Sequence, residues 1–338
     1  MNLFILALFI LLNFFILLKY DTYEKFFTII DKPDEIRKNH KYEVKIFGGI
    51  ILIINLFIFG ILCLTDLNSL IFDGQIFNDI KSYLTFFIFT FLFFILGFYD
   101  DIFDVSANKR LFISSIFFLA ALLLNNNLLI NSFYIEIIDL QFELGIFSIF
   151  FSIFCFLLAL NSLNMFDGIN LQVGLFCLTI FSIFILMGIF QFISLIMIIS
   201  LVSYLFLNVQ NKIFLGDGGV YVLSFIITFI LISQNNYTQP VLSPELILQI
   251  LIIPGIDMVR LFTQRLLNKK NPFSPDRQHL HHLLLNCHNL FRTTIIMQSL
   301  ILIPILLGLY IVQLEYSIMI SILTYFILVI AYKNQIQS

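Results

Sequence analysis

Apolar residues along this chain form long continuous runs, which short polar segments separate. A transmembrane helix needs roughly 20 mostly apolar residues to cross a hydrocarbon core about 30 Å thick. The pattern therefore predicts an all-α polytopic membrane protein with about eleven transmembrane helices, forming one domain over residues 1–338. The predicted spans lie near residues 3–18, 46–64, 83–99, 111–124, 144–160, 171–189, 192–207, 219–233, 245–263, 295–313 and 316–332.

The positions of Lys and Arg predict how these spans are oriented. With eleven spans, every one of the 18 cations except Lys81 falls on the same side of the membrane. Short cytoplasmic loops concentrate Lys and Arg, so we expect the N-terminus outside and the C-terminus in the cytoplasm. The cytoplasmic loops, which we expect to form the active face, are residues 19–45, 100–110, 161–170, 208–218 and 264–294.

The composition excludes a soluble enzyme. Hydrophobic residues make up 60% of the chain and charged residues only 12%, whereas globular proteins carry about a quarter charged residues. The four cysteines show no paired spacing, so they indicate packing rather than a metal site or a disulfide framework.

Carboxylates and carboxamides gather at the cytoplasmic ends of three predicted spans. A single Asp at a helix end is usually a cap or a solvated charge, but three loops that deliver oxygen donors to one depth favour a shared site. Such hard donors suit Mg²⁺, which prefers a few carboxylates together with water and substrate phosphates. The residues concerned are Asp100, Asp101, Asp104, Asn161, Asn164, Asp167, Asn170 and Asp217.

The longest cytoplasmic loop combines Arg277 with His279, His281 and His282. A cluster of His and Arg opposite carboxylates suits an anionic, phosphorylated substrate. Zinc is one alternative, but the nearby residues do not complete the ligand spacing of a common zinc site. A basic loop that binds anionic lipid is another alternative, although such a loop needs only Lys and Arg.

Taken in order, these residues resemble the polyprenyl-phosphate N-acetylhexosamine-1-phosphate transferases, in the branch that uses undecaprenyl phosphate and transfers GlcNAc-1-phosphate. Each motif is short, but six in the same order are specific. They are Asp31-Lys-Pro with Arg37-Lys38-Asn-His40, Asp100-Asp101-x-x-Asp104, Asn161-x-x-Asn164-x-x-Asp167-Gly168, Phe214-Leu-Gly-Asp217-x-Gly219, Pro254-x-x-Asp257-x-x-Arg260, and Pro275-Asp276-Arg277-x-His279-x-His281-His282.

The resemblance implies an enzyme of the bacterial inner membrane with a cytoplasmic active site. A polyprenyl phosphate would attack the β-phosphorus of a UDP-sugar and release UMP, which begins a cell-envelope glycan such as lipopolysaccharide O-antigen. Expected partners are the UDP-sugar donor, the polyprenyl phosphate acceptor and the lipid bilayer, with no nucleic acid. A homodimer is left open.

With this chemistry we expect Asp100, Asp101 and Asp217 to be catalytic, and Asp217 with Asn164 to hold Mg²⁺, for which Mn²⁺ could substitute. Substrate binding is expected from Asn161, Asp167, Asn170, Lys109, Arg110, Arg277, His279, His281 and His282. For Asp100 a general base, a nucleophile and a positioning group all remain open, because a phosphate monoester is already mostly dianionic at neutral pH.

One departure from the family pattern concerns nucleotide recognition. Relatives commonly continue Asp167-Gly168 with a second Asp-Gly pair, where this chain has Asn170-Leu171. An Asn side chain can both accept and donate a hydrogen bond at the edge of uracil, so we expect nucleotide recognition to survive.

Two alternative functions and two local questions stay open at this point. Many spans also suit a secondary transporter of an anionic solute, although transporters place polar residues near the bilayer midplane. A phospho-MurNAc-pentapeptide translocase would share much of the pattern. The pair Asp257 and Arg260 either closes the ninth span as an ion pair or lines a lipid groove, and the loop with Lys38 and His40 either covers the nucleotide or lies on the membrane surface.

Overall fold

The computed structural model describes residues 3–23, 25, 30–31, 43–65, 77, 79–135, 139–236, 242–274 and 276–337. Within these ranges it has twelve α-helices: α1 (Leu3–Tyr23), α2 (Gly48–Thr65), α3 (Ile80–Phe103), α4 (Ala107–Leu124), α5 (Ser148–Phe166), α6 (Gln172–Leu186), α7 (Gln191–Asn208), α8 (Gly216–Asn235), α9 (Pro244–Leu267), α10 (Leu280–Cys287), α11 (Leu290–Tyr310) and α12 (Leu314–Gln337).

Each predicted span coincides with one helix other than the short α10. Among the described residues, nine helices are long and apolar enough to cross a membrane, while α2 and α6 are apolar but shorter. Large apolar side chains remain exposed along the outer helices, as on Leu3, Phe4, Tyr310 and Ile311. An apolar exterior of this extent is what a protein surrounded by lipid tails requires.

Several helices extend beyond the apolar runs that predicted them. Helix α3 continues to Phe103 and α4 begins at Ala107, so the polar ends of these helices replace most of the expected loop 100–110. In the same way α5 continues to Phe166 through the expected loop 161–170. Hydropathy marks only the part of a helix that faces lipid, and these ends carry their polar side chains towards water and one another.

The fold is mostly helical, as expected, but it also contains two small sheets that the all-α prediction did not include. Strands β1 (Ile30–Asp31), β2 (Val44–Ile46) and β5 (Ile213–Phe214) form one sheet, in which β2 pairs antiparallel with β1 and parallel with β5. Strands β3 (Ser132–Ile135) and β4 (Leu140–Glu143) form an antiparallel hairpin. Strands of two to four residues are too short for a period-two pattern to reveal.

The first sheet aligns the beginnings of two helices. Lys45 pairs with Ile213 and Ile46 with Phe214, and the Gly49 N–H then donates to the Leu215 carbonyl at 3.0 Å. Because α2 follows β2 and α8 follows β5, their N-termini meet at one level.

Helix α8 is the centre of the bundle. It is almost wholly buried and packs against α2, α3 and α5. Glycines allow the backbones to approach closely: a Cβ on Gly97 of α3 would lie 2.4 Å from the Asp217 carbonyl oxygen, and one on Gly49 of α2 would lie 2.6 Å from the Gly219 nitrogen. Ordinary side chains at these positions would push α2 and α3 away from the start of α8.

We expect Gly97→Ala to destabilise the fold by about 3 kcal/mol or more, because the added methyl meets backbone atoms that cannot rotate away. The melting temperature of the purified protein in detergent measures this effect. Gly255→Ala is the matched control, since a Cβ there has no neighbour within 4 Å and Ala favours helix over Gly. Equal melting temperatures for the two variants would contradict the close contact between α3 and α8.

Candidate active site

A cleft of about 470 Å³ opens where the ends of α3, α4, α5 and α8 meet the segment between α9 and α10. Most of the residues predicted from sequence to form the site line this cleft. They are Asp101, Arg110, Asn161, Asn164, Asp167, Asn170, Asp217, His279 and His282. The other four predicted residues, Asp100, Lys109, Arg277 and His281, are not among its lining residues.

Asp217 lies in the first turn of α8 and joins three helices. Its Oδ1 accepts a hydrogen bond from the Asn164 amide of α5 at 2.6 Å, and its Oδ2 lies 3.8 Å from the Arg110 guanidinium of α4. The side chain is 31% exposed, so the carboxylate remains open to the cleft. Beside it, the Asn161 amide donates to the Leu157 carbonyl of its own helix.

Asp101 has an unexpected contact for a residue predicted to be catalytic. Its Oδ1 accepts from the Asp217 N–H at 2.8 Å and its Oδ2 from the Gly218 N–H at 3.1 Å. The first N–H groups of a helix have no partner within the helix, and a carboxylate that accepts them is favoured by the helix dipole. Asp101 of α3 thus caps the N-terminus of α8.

Asp100 is buried behind the cleft and does not face it. Its Oδ2 accepts from Arg110 Nη1 at 2.8 Å and its Oδ1 from the Val105 N–H at 2.8 Å. Arg110 therefore lies between Asp100 and Asp217, and its positive charge interacts with both carboxylates. Lys109, its neighbour in the first turn of α4, is exposed outside the cleft, so of these two cations it is Arg110 that the structure brings to the site.

The turn after α5 is held by asparagines of the α7 end. The Asn208 Oδ1 accepts from the Leu171 N–H at 2.8 Å, and Asn170 donates to the Asn211 Oδ1 at 2.6 Å. Leu171 has a φ of +70°, in the left-handed region that glycine adopts without a steric penalty. This is the position where relatives commonly carry the glycine of their second Asp-Gly pair, so Leu171 adopts a backbone conformation that favours glycine.

Asp167 caps the end of α5 beside Asp217. Burial, and then the negative charge of Asp217, raise the pKa of Asp167 to about 7 from an ordinary 3.8. Two carboxyl groups, Asp167 and Asp217, therefore lie close enough to interact at this wall of the cleft.

The three histidines occupy different environments. His279 and His282 line the cleft, whereas His281 is completely buried with both ring nitrogens lacking a described partner, and its ring packs against Gly168. Burial, with the charges of His279 and Arg277, lowers the pKa of His282 to about 4. Burial and the neighbouring histidines likewise hold the pKa of His281 well below its usual range. The lowered pKa values favour uncharged imidazoles, which can act as neutral hydrogen-bonding groups. Contact of His281 with the substrate stays a prediction.

Helix α9 anchors the histidine loop, which is residues 276–279 directly before α10, a role that the sequence did not indicate. His281 and His282 lie in α10 itself. Buried Arg265 donates to the Asp276 carboxylate at 2.8 Å and to the Pro272 carbonyl at 2.7 Å. Burial alone would raise the pKa of Asp276, but the hydrogen bond and charge of Arg265 lower it below its ordinary value. Asp257 and Arg260 form an ion pair at 2.9 Å, as one of the two sequence alternatives proposed.

Oxygen donors around Asp217 bear on whether the cleft fits a divalent cation. Among the described residues no three His, Cys, Asp or Glu side chains converge as a metal-binding group. One open carboxylate with adjacent amides is nevertheless the sparse, oxygen-only donor set that Mg²⁺ takes when substrate phosphates and water complete its shell. Asp217 and Asn164 therefore fit Mg²⁺ at the level of donor chemistry.

Two predicted features lie outside the described residues. Residues 32–42, with Arg37, Lys38 and His40, are one, and Pro275 is the other. Arg277 is exposed beside His282 at the edge of the histidine loop.

Comparison with known proteins now decides the family. Residues 83–235 match the protein family described as Glycosyl transferase family 4. An undecaprenyl-phosphate alpha-N-acetylglucosaminyl 1-phosphate transferase of Escherichia coli O157:H7 is 30% identical over 269 residues, which cover 76% of this chain and 69% of the relative. The chain belongs to glycosyl transferase family 4. Proteins of the same name from Yersinia pestis and Haemophilus influenzae are 29% and 28% identical, over 76% of this chain and 69% and 71% of their own lengths.

As a member of glycosyl transferase family 4, the chain is an enzyme and a multi-pass membrane protein. Its family match spans α3 to α8 and so contains Asp100, Asp101, Asp167 and Asp217, while Asp257, Asp276 and the histidine loop lie beyond it. Membership favours the transferase over the secondary transporter that the span pattern alone left open.

The stability of this glycosyl transferase should depend on Asp167 in a defined direction. Because the pKa of Asp167 is raised in the folded state, its protonation stabilises the fold fully below the ordinary pKa, and this contribution is lost as the pH rises through about 7. Asp167→Asn cannot ionise, so its melting temperature relative to wild type should be higher at about pH 8 than at about pH 5. A difference independent of pH, measured without divalent cations, would contradict the raised pKa.

Proposed function

We propose that this protein transfers an N-acetylhexosamine-1-phosphate from a UDP-sugar to undecaprenyl phosphate. UMP leaves and a polyprenyl-diphosphate sugar forms. The relatives' name, which specifies N-acetylglucosamine 1-phosphate and undecaprenyl phosphate, favours GlcNAc as the sugar and argues against the phospho-MurNAc-pentapeptide translocase. The observation that carries the proposal is the position of Asp217, open to a polar cleft and joined to Asn164 and Arg110.

The placement in the cell follows from the charge pattern. We infer eleven spans, with the N-terminus outside and the C-terminus in the cytoplasm, so that the cleft opens to the cytoplasmic face of the bacterial inner membrane. A soluble UDP-sugar can then enter from water, while the acceptor phosphate reaches the cleft from the bilayer surface. The two reacting phosphates carry several negative charges, which repel strongly at about 3 Å unless cations lie beside them.

Two arginines of the cleft supply part of that positive charge. Arg110 is held between two carboxylates, which fixes its guanidinium, and Arg265 is fixed by Asp276. Both arginines are already paired with carboxylates, so they do not by themselves neutralise the negative charge of the reacting phosphates. Mg²⁺ held by Asp217 and Asn164, with Mn²⁺ as a substitute, would neutralise charge on the donor diphosphate. Asp100, by holding Arg110 at 2.8 Å, keeps that cation in place.

For the nucleotide, we assign Asn170 to the uracil edge. Its amide N–H is held by the Asn211 Oδ1 at 2.6 Å, and the side chain lines the cleft. With the amide fixed in this way, the Asn170 carbonyl oxygen is the group left to accept from the uracil N–H.

Asn170→Ala should raise KM for the sugar nucleotide about tenfold, because loss of a buried substrate hydrogen bond costs about 1.5 kcal/mol, with a smaller effect on kcat. Asn211→Ala removes only the group that orients Asn170 and should raise KM less. Steady-state kinetics at saturating acceptor lipid measure both. An unchanged KM in Asn170→Ala would refute the uracil contact.

The proposed reaction is tested with purified protein in detergent, a panel of UDP-N-acetylhexosamines, undecaprenyl phosphate and Mg²⁺. We expect UMP release that requires both the lipid and the metal, and that is lost in Asp217→Asn. Asp79→Asn is the matched control, because Asp79 caps the opposite end of α3 by accepting from the Ser82 N–H, a bond that Asn can also accept. Absence of UMP release with every donor, from folded wild-type protein, would overturn the proposal.

A further inference from the structure

Asp257 has the most complete set of hydrogen bonds of any described carboxylate, yet it lies outside the cleft. Its Oδ1 accepts from Arg260 Nη2 at 2.9 Å, from the Tyr325 hydroxyl at 2.6 Å and from the Leu280 N–H at 3.2 Å. Its Oδ2 lies 2.6 Å from His279 Nδ1. A plain ion pair with Arg260 would need none of the last three contacts.

His279 is the one partner of Asp257 that also lines the cleft. His279 and His282 both line the cleft, and the His279 Nδ1 lies 2.6 Å from a carboxylate oxygen of Asp257. A carboxylate oxygen that already has no proton can only accept, so the Nδ1 of His279 must carry the hydrogen. The hydrogen bond made by one ring nitrogen determines what the other nitrogen can do.

We propose that Asp257 is a positioning residue for the transfer reaction: it fixes the ring orientation and the tautomer of His279, so that Nε2 is presented to the phosphorylated substrate. The proposal rests on the transferase function proposed above. In the neutral ring Nε2 is an acceptor, and in the charged ring it is a donor to phosphate. In both forms the ring keeps its proton on Nδ1 and donates it in a hydrogen bond to Asp257 Oδ2.

Because of the neighbours of Asp257, replacing one of its carboxylate oxygens by an NH₂ group should change the tautomer of His279. In Asp257→Asn, three donors still converge on the Oδ1 position. The amide oxygen must therefore occupy that position, and the NH₂ group must turn to His279. It would then donate to Nδ1, which moves the ring hydrogen to Nε2 and presents the wrong group to the cleft. Substituting carboxamide for carboxylate in an Asp–His pair acts in this way elsewhere.

Tyr325→Phe is the matched control. It removes a hydrogen bond from Oδ1 of the same buried network, but it leaves the contact between Oδ2 and His279 untouched. Both variants should lose thermal stability, so stability alone does not distinguish them. Only Asp257→Asn should change the tautomer of His279.

The first readout needs no activity. Protein labelled with ¹⁵N-histidine contains five histidines, and the His279 signals are those lost in His279→Gln. We expect a proton on Nδ1 in wild type and in Tyr325→Phe, and on Nε2 alone in Asp257→Asn. A wild-type ring protonated only at Nε2, or an unchanged ring in Asp257→Asn, would overturn the proposal.

The second readout is UMP release. Loss of a carboxylate that orients a functional His typically costs about 10- to 100-fold, and we expect such a fall in kcat for Asp257→Asn, with KM for the sugar nucleotide changed less. In a His279→Gln background the same change should cost less than about twofold, because residues acting through one another are not additive. Full additivity would mean that Asp257 has a structural role only. Wild-type protein that releases no UMP would refute the transferase function, while the ¹⁵N signals would still decide the positioning by Asp257.

Discussion

The arrangement of the site depends on the carboxylate of Asp101 and the two N–H groups that it accepts from the start of α8. The partners are 116 and 117 residues apart in sequence, so this contact joins two parts of the chain that helix formation alone would leave independent. It is possible only because Gly97 lets the α3 backbone lie against the Asp217 carbonyl. Once α8 begins at this place, Asp217 must lie beside Asn164 and Arg110.

On both walls of the cleft, a carboxylate from one helix holds the start of another helix. On one side, Asp101 holds the helix end that presents Asp217 to the cleft. On the other side, Asp257 holds the histidine loop through the Leu280 N–H and His279. In each case a carboxylate on a long helix accepts from N–H groups at the start of another helix, where those groups have no partner within their own helix. Asp217 and His279 are thereby held in place by carboxylates of neighbouring helices.

The sequence predicted the helices and most of the residues of the cleft, because long apolar runs and carboxylates at their ends follow from local chemistry. It did not predict what each carboxylate contacts. Asp100 and Asp101 are adjacent in sequence, yet one is buried against Arg110 and the other caps α8, since consecutive residues of a helix point about 100° apart. The sequence also did not indicate that His281 is buried, because this burial depends on packing against Gly168, which is distant in sequence. The short strands that align α2 with α8 have too few residues to be read from a periodic pattern.

The most direct test of the role of Asp101 is the rate of UMP release by Asp101→Asn, compared with Asp104→Asn at a temperature where both proteins are folded. Asp101→Asn leaves Asp217 chemically intact but loses one acceptor for the α8 N-terminus, whereas Asp104 is exposed at the end of the same helix and tolerates Asn in its left-handed backbone. We predict at least about a tenfold lower rate for Asp101→Asn, as is usual when a supporting hydrogen bond of a site is lost, and a wild-type rate for Asp104→Asn. A wild-type rate in folded Asp101→Asn would contradict the conclusion that this cap positions Asp217.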